Sequence, residues 1–470
     1  MTDPLLDHLA AICGAANVLS GPDAAPFGQE PTGQYRWTPR AVVRPGSTAD
    51  VSAVMRVLQA ASVPVVPLGG GSGLTGATAA EGAVMLSLTR LNRIRAINPQ
   101  ARTATVEAGV VLQSLHEALE DRGLSFPLWF GARGTAQIGG CLATNAGGSN
   151  VLRYGNARAL CLGVEAVLPD GRVMDLLSGL HKDNSGYDLR DLLIGSEGTL
   201  AIITAATLKL QPRPRARATA AIALPGLAPA LDLLNTLQES TGGMVEAFEY
   251  MPDLYMHRLA EHRPDLRPPF DPFPPVTILL ELASTQEADA VPDAEGRMPL
   301  ARRLEDLLER MLANGQISDA IPAGSEARRR AFWAVREAAA EITLTCEPLV
   351  DTDIAVPLDA VEPFLRAMSA RLQRLDPGAG EMVVAHLGDG NVHYTAYPTR
   401  ADAGLDEAIR EAVEDEALRL GGSFSAEHGI GLSKLGAMRR HKDPVALKMM
   451  RGIKRVFDPS GILNPGKTLP

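Results

Sequence analysis

The chain has 470 residues, 46% of them hydrophobic and 4% aromatic, and a formal net charge of −10. That length allows two or three domain-sized cores. The acidic balance argues against a sequence-independent grip on nucleic acid or an anionic membrane. No apolar run reaches the roughly eighteen residues needed to cross a bilayer.

The N-terminus, "MTDPLLDHLAAICGAANVL", carries two aspartates and no basic lead. A signal peptide is therefore not expected, and the location implied is cytoplasmic. Cys13, Cys141, Cys161 and Cys346 are scattered without a C-x-x-C spacing, so neither a disulfide framework nor a zinc-thiolate knuckle is signalled.

In "RAVVRPGSTADVSAVMRVLQAASVPVVPLGGGSG" the order reads strand, helix, strand, glycine loop. Ser47 with Asp50 fits a capping box, and Val51, Val54, Met55 and Leu58 form the apolar stripe of a helix. Val63–Leu68 reads as a buried strand, with further strands at Val84–Leu88, Thr103–Val106, Val164–Leu168 and Leu200–Thr204 and a helix at Val111–Arg122. The basic, proline-rich "QPRPRARA" from Gln211 reads as a boundary. Beyond it come a helix near Leu227–Glu239, the strand "VTILLELA", a long helix over Glu326–Leu344, a β unit and a helical tail. The expected division is an N-terminal extension (1–34), a cofactor domain (35–213), a substrate or cap domain (214–422) and a C-terminal helical segment (423–470).

Gly71-Ser-Gly73-Leu-Thr-Gly76 satisfies G-x-G-x-x-G, but its context rejects a Rossmann site. That fingerprint needs a helix to open in the loop and an acid about twenty residues on. Here the chain runs into another strand and then Arg90. What remains is a run of amides at Gly69, Gly70, Gly71, Ser72 and Gly73, a nest suited to phosphate or to a tight structural turn. A second glycine-rich loop spans Gly131–Gly155 and a third, "GSEGTL", begins at Gly195. Together the three point to a cofactor wrapped in backbone amides.

The order "PLGGGSGLTG", "IGGCLATNAGG", "RYG", "GYDLRDLLIGSEGTLAIIT" and "ILNPGK" resembles the vanillyl-alcohol-oxidase type of flavoprotein from about Trp37 onward. Within it the chain is similar to the branch of D-lactate, glycolate and D-2-hydroxyglutarate dehydrogenases. The resemblance implies an α+β fold: a two-subdomain FAD-binding domain, then an α+β cap domain and a helical end. It places Pro67, Gly69–Gly73, Gly139, Gly140, Thr144, Asn145, Gly147 and Gly148 around the FAD pyrophosphate and ring. Glu197 and Ile202 would meet the adenosine half or ring edge, and Asn464 the isoalloxazine. Covalent relatives carry a histidine in the first loop; Ser72 stands near there, which implies non-covalent FAD.

"HLGDGNVHY" from His386 raises a separate question. Asp389-Gly390 is a two-residue type I′ hairpin signal. It would oppose His386 to His393 directly, with Cβ atoms roughly 5 Å apart. The pair could meet one metal ion or be two satisfied core histidines. The stretch "SAEHGIG" supplies Glu427 as a third ligand and His428 beside it. Adjacent residues of an extended chain face opposite ways, so one can bind metal while the other moves a proton. Two imidazoles and a carboxylate suit Zn²⁺ or another divalent ion. The resemblance assigns the same roles: His386, His393 and Glu427 as ligands, His428 as base.

The implied reaction is oxidation of a D-2-hydroxy acid to the 2-oxo acid, with hydride to flavin N5. The resemblance makes Arg336 the holder of a substrate carboxylate. Without a nicotinamide site, the expected acceptor is an electron-transfer flavoprotein, a quinone or a cytochrome; an oxidase using O₂ and a non-catalytic flavin subunit are the rivals. The sequence leaves the oligomeric state open, with a homodimer among the options. In the D-2-hydroxyglutarate branch the distal carboxylate is held by the arginine matching Arg336, a threonine four residues on and a lysine further along. Those last two positions here are Ala340 and Asp351, which favours D-lactate or another neutral-tailed acid.

Overall fold

The structure is a computed structural model that describes residues 3–470. The chain forms two compact units. The first comprises residues up to Gly147, Gly155–Pro212 and His428–Pro470; the second comprises Gly148–Tyr154 and Arg213–Glu427.

In the first unit, strands β1 (Val18–Leu19), β2 (Ala41–Val43), β3 (Val65–Leu68) and β4 (Val84–Ser87) form a sheet ordered β1-β2-β4-β3. β4 runs parallel to both β2 and β3. The crossover helix Thr48–Ala60 begins where the Ser47 side chain accepts from the Asp50 amide. A cap of this kind contributes about 1 kcal/mol. Val51, Val54, Met55 and Leu58 bury that helix against Val65, Val84 and Leu86. A second sheet, wholly antiparallel, contains β5 (Ile94–Asn98), β6 (Thr103–Glu107), β7 (Cys161–Val167), β8 (Val173–Leu176) and β9 (Ile202–Lys209) in the order β5-β6-β9-β7-β8. The C-terminus returns to β3: Val65 donates to the Ile462 carbonyl (2.8 Å) and Asn464 to the Val65 carbonyl (2.7 Å).

The second unit is built on seven antiparallel strands: β10 (Ala216–Leu224), β11 (Val245–Pro252), β12 (Val276–Ser284), β13 (Asp319–Pro322), β14 (Val350–Ala355), β15 (Gly380–His386) and β16 (Asn391–Tyr397). Their order is β13-β10-β12-β11-β15-β16-β14. One face packs on helices Ala230–Thr241, Pro299–Ala313, Val361–Leu375 and Ala403–Arg419 through residues such as Leu237, Leu304, Phe364 and Ile409. The other is covered by helices Asp253–His262, Glu326–Glu337 and Ala339–Thr343.

The helix expected over Glu326–Leu344 is two helices that break at Ala338. The Val335 carbonyl, which an unbroken helix would aim at the amide of residue 339, accepts instead from the Tyr255 hydroxyl. No helix among the described residues is long and apolar enough to cross a membrane.

Candidate active site

In the first unit the residues after β3 form a loop that leads to β4 without a helix. A pyrophosphate-on-helix site is therefore not built here. Among the described residues, the amides of residues 69–73 donate to no backbone carbonyl. This loop lies against the second glycine loop, since a Cβ on Gly70 would fall 2.0 Å from the Thr135 carbonyl oxygen. Gly139 and Gly140 lie in the short helix Ile138–Ala143, after which the Thr144 hydroxyl donates to the Gly140 carbonyl (3.1 Å). The third loop joins them, with the Gly195 amide on the Leu142 carbonyl (2.9 Å) and the Glu197 amide on that of Ala143 (2.8 Å). Pro67 packs beside Gly198.

Asn464 closes this cradle by donating Nδ2 to the carbonyls of Glu197 (2.8 Å) and Ala77 (3.0 Å). Its Oδ1 is buried without a partner, as is Gln137 Oε1. Asn145, Glu197 and Asn464 all have positive φ, at 53°, 50° and 40°. Each such residue costs of order 1–3 kcal/mol, and strain of this kind gathers at functional sites. Undonated amides, a buried orphan acceptor and strained corners fit an anionic cofactor that also carries ring N–H groups.

Two of the expected contacts are placed differently from their neighbours. Ile202 is buried in the core at the start of β9. The Glu197 carboxylate is taken up by protein donors: the amides of Ile430 and Gly431 (2.9 Å) and the Thr468 hydroxyl (2.6 Å). Gly429, at φ +80°, lies so close that a Cβ would stand 2.0 Å from Glu197 Oε1. The segment following His428 is thereby clamped to the cradle. Gly147 belongs to the first unit, whereas Gly148 begins the segment assigned to the second.

In the second unit the hairpin corrects the expected register. β15 and β16 are joined by four residues, so that His386 pairs with Asn391 and His393 with Val384. The His386 carbonyl accepts from both Asp389 and Gly390 (3.2 Å each), Asp389 Oδ1 receives the Asn391 amide (3.1 Å), and Gly388 is drawn to the Phe248 carbonyl on β11 (3.2 Å). The histidines are diagonal neighbours rather than direct partners. A shift of two residues preserves the face, and the rings still stand 5.4 Å apart at 81°.

His386 Nε2 and His393 Nε2 lie 3.8 and 3.7 Å from the same Glu427 Oε1. Donors around a tetrahedral ion at bond lengths of 2.0–2.2 Å stand roughly 3.3–3.6 Å apart, so both distances to Glu427 are slightly longer than a bound ion would hold them, and the three side chains are candidate ligands. Each imidazole has a buried carboxylate behind it. His386 Nδ1 is 2.8 Å from Glu249 Oε2, and His393 Nδ1 is 3.9 Å from Asp353 Oδ1. Burial opposes charge on His386, but Glu249 outweighs it and raises the pKa to about 9. Burial likewise opposes ionisation of Glu249, yet His386 and Arg336 hold its pKa below the ordinary carboxylate value.

Asp353 also accepts from the Glu427 amide (3.0 Å), the Ala426 amide (3.2 Å) and Asn391 Nδ2 (2.9 Å). Its carboxylate lies within 4.8 Å of the ligand atoms of His393 and Glu427, a grouping that brings in Asp353, which the sequence did not single out, and leaves out His386. Glu249 and Asp353 went unrecognised in the sequence. The available signal was a pair of acids inside each of two strands, Glu246 and Glu249 in "VEAFEYM" and Asp351 and Asp353 in "LVDTDIAV".

Arg336 is buried on the helix Glu326–Glu337, with Nη2 2.8 Å from Glu249 Oε2. The contact is an ion pair without hydrogen-bond alignment, and Nε and Nη2 have no aligned acceptor. The guanidinium keeps donors for a second anionic group. Asp351 sits two residues before Asp353 on β14, and its Oδ1 accepts from the Thr395 hydroxyl (2.8 Å). Ala340 is exposed on the following short helix.

The first unit thus carries an amide cradle suited to an anionic cofactor, and the second carries a histidine–carboxylate cluster. Residues 39–177 match the family described as "FAD binding domain" and residues 213–468 match "FAD linked oxidases, C-terminal domain". The chain belongs to this family of FAD-linked oxidases. It is 36% identical to a D-2-hydroxyglutarate dehydrogenase of Xanthomonas citri, over 99% of this chain and 97% of that one. It is also 36% identical to the mitochondrial D-2-hydroxyglutarate dehydrogenase of Bos taurus, over 93% and 78%. The fold is like that of p-cresol methylhydroxylase (TM-score 0.75, 15% identity, 99% of this chain and 96% of that one). It is also like that of alkyldihydroxyacetonephosphate synthase (TM-score 0.72, 17% identity, 99% and 85%). The architecture is the α+β vanillyl-alcohol-oxidase type.

Proposed function

We propose that this chain is an FAD-dependent dehydrogenase that converts a D-2-hydroxy acid to its 2-oxo acid. The reading rests on one observation above the others: two imidazole Nε2 atoms within 3.8 Å of one carboxylate oxygen, in a member of an FAD-linked oxidase family. When bound, FAD supplies the two-electron acceptor, and a divalent ion such as Zn²⁺ supplies Lewis acidity toward the substrate hydroxyl.

The remaining work falls to the chain's own residues. His386, His393 and Glu427 hold the ion, and Asp353 holds the Glu427 backbone in place. Arg336 orients the substrate carboxylate with its unaligned donors. The hydroxyl proton passes to a ring nitrogen of His428 acting as general base. Residues 67–73, 139–148 and Asn464 hold the cofactor. An electron-transfer flavoprotein, a quinone or a cytochrome then takes the electrons. A preparation bleached anaerobically by a D-2-hydroxy acid supports the reading; a flavin that stays oxidised with every such acid overturns it.

Asp351 bears on which acid is used. A carboxylate on the same strand face as Asp353 repels a second substrate carboxylate, and like charges in a partly desolvated pocket cost several kcal/mol. Neutral-tailed acids such as D-lactate are then the better substrates, and Asp351→Lys raises kcat/KM for D-2-hydroxyglutarate. The names of the relatives favour a second reading, D-2-hydroxyglutarate itself. A wild-type kcat/KM clearly higher for D-2-hydroxyglutarate than for D-lactate decides for it.

A further inference from the structure

Glu249 is wholly buried on β11, the central strand of the seven. A carboxylate there loses its hydration, and well-packed apolar residues are often at least as stabilising as a buried ion pair. Its surroundings are specific. Oε2 lies 2.8 Å from His386 Nδ1 and 2.8 Å from Arg336 Nη2, and the β11–β15 ladder pairs Glu249 directly with His386.

We propose that Glu249 is a positioning residue that holds the imidazole of His386 and the guanidinium of Arg336 in one geometry. By accepting from Nδ1–H it fixes the tautomer whose Nε2 faces Glu427. By pairing with Nη2 it holds Arg336 beside that ring with Nε still able to donate. One buried carboxylate thus ties the metal ligand to the group that anchors the substrate. A carboxylate behind a ligating histidine raises the basicity of the ring and fixes its orientation, and its loss commonly weakens metal binding about 10- to 100-fold.

The inference rests on the metal-site reading, so the test begins with the metal content of the purified wild-type protein. Zn²⁺ affinity is then measured by competition with a chelator, for the wild type, Glu249→Gln and Glu249→Asp. Glu249→Gln keeps an acceptor oxygen and removes the charge. Glu249→Asp keeps the counter-charge for Arg336 and withdraws it from the ring, and it stands in where the glutamine variant does not fold.

The expected result is Zn²⁺ binding weaker by about 10-fold or more, with flavin absorbance per chain unchanged. A folded variant that binds Zn²⁺ as tightly as a stoichiometrically loaded wild type overturns the role of Glu249 and leaves the metal site standing. A lowered melting temperature with unchanged affinity overturns it equally, since a merely structural ion pair behaves that way. A wild type that binds no Zn²⁺ overturns the metal reading and this proposal with it.

Discussion

At the scale of single residues, the boundary between the two units falls inside one sequence motif. Glu427 is the last residue of the second unit and His428 the first of the returning first unit. Glu427 is fixed from one side by the Asp353 carboxylate on its amide, while the residues after His428 are fixed by Glu197 and by Thr75, whose carbonyl accepts from Leu432 (2.8 Å). The proposed roles, Glu427 as ligand and His428 as base, are tested by substitution. His393→Ala is expected to abolish turnover and metal binding while flavin stays bound. His428→Ala should keep the metal and slow flavin reduction by about two to four orders of magnitude. Stopped-flow reduction with parallel elemental analysis checks both, and metal lost from the His428 variant would sink the assignment.

At the scale of elements, the hairpin shows what a turn signal conveys. Asp389-Gly390 correctly marks where the chain reverses, and alternation correctly keeps both histidines on one face. The register was not legible because the turn is shaped by neighbours distant in sequence. Phe248 draws in Gly388, and Gly390 is pressed so close to β14's end that a Cβ would stand 2.2 Å from the Val356 carbonyl oxygen. Gly390 also has φ +80°. Gly390→Ala should therefore destabilise by more than about 1 kcal/mol and weaken metal binding by moving His386. Urea unfolding measures the first effect, and an unchanged midpoint would show that the turn tolerates a side chain.

At the scale of the whole molecule, the glycine loops lie far apart in sequence yet converge on one cradle closed by Asn464. They offer amides and a buried carbonyl oxygen, and the residue near the expected covalent position is Ser72, not histidine. Acid precipitation should accordingly release the flavin into the supernatant; flavin retained in the pellet would contradict a non-covalent cofactor.

Local chemistry determined much of this protein before any coordinates. The Ser47 cap, the apolar stripe at Val51, Val54, Met55 and Leu58, and the first glycine loop, which opens no helix, are properties of short windows, and short windows carry them. The three proposed metal ligands and His428 were singled out for the same reason, since each stands in a distinctive local motif. Glu249, Asp353, the break at Ala338 and the hairpin register were decided only by tertiary structure. A carboxylate in an apolar strand acquires its meaning from the histidine on the next strand, and a helix breaks where a tyrosine some eighty residues away takes its carbonyl. These are contacts across the sheet and between layers, and a chain read one residue after another holds no distance between them.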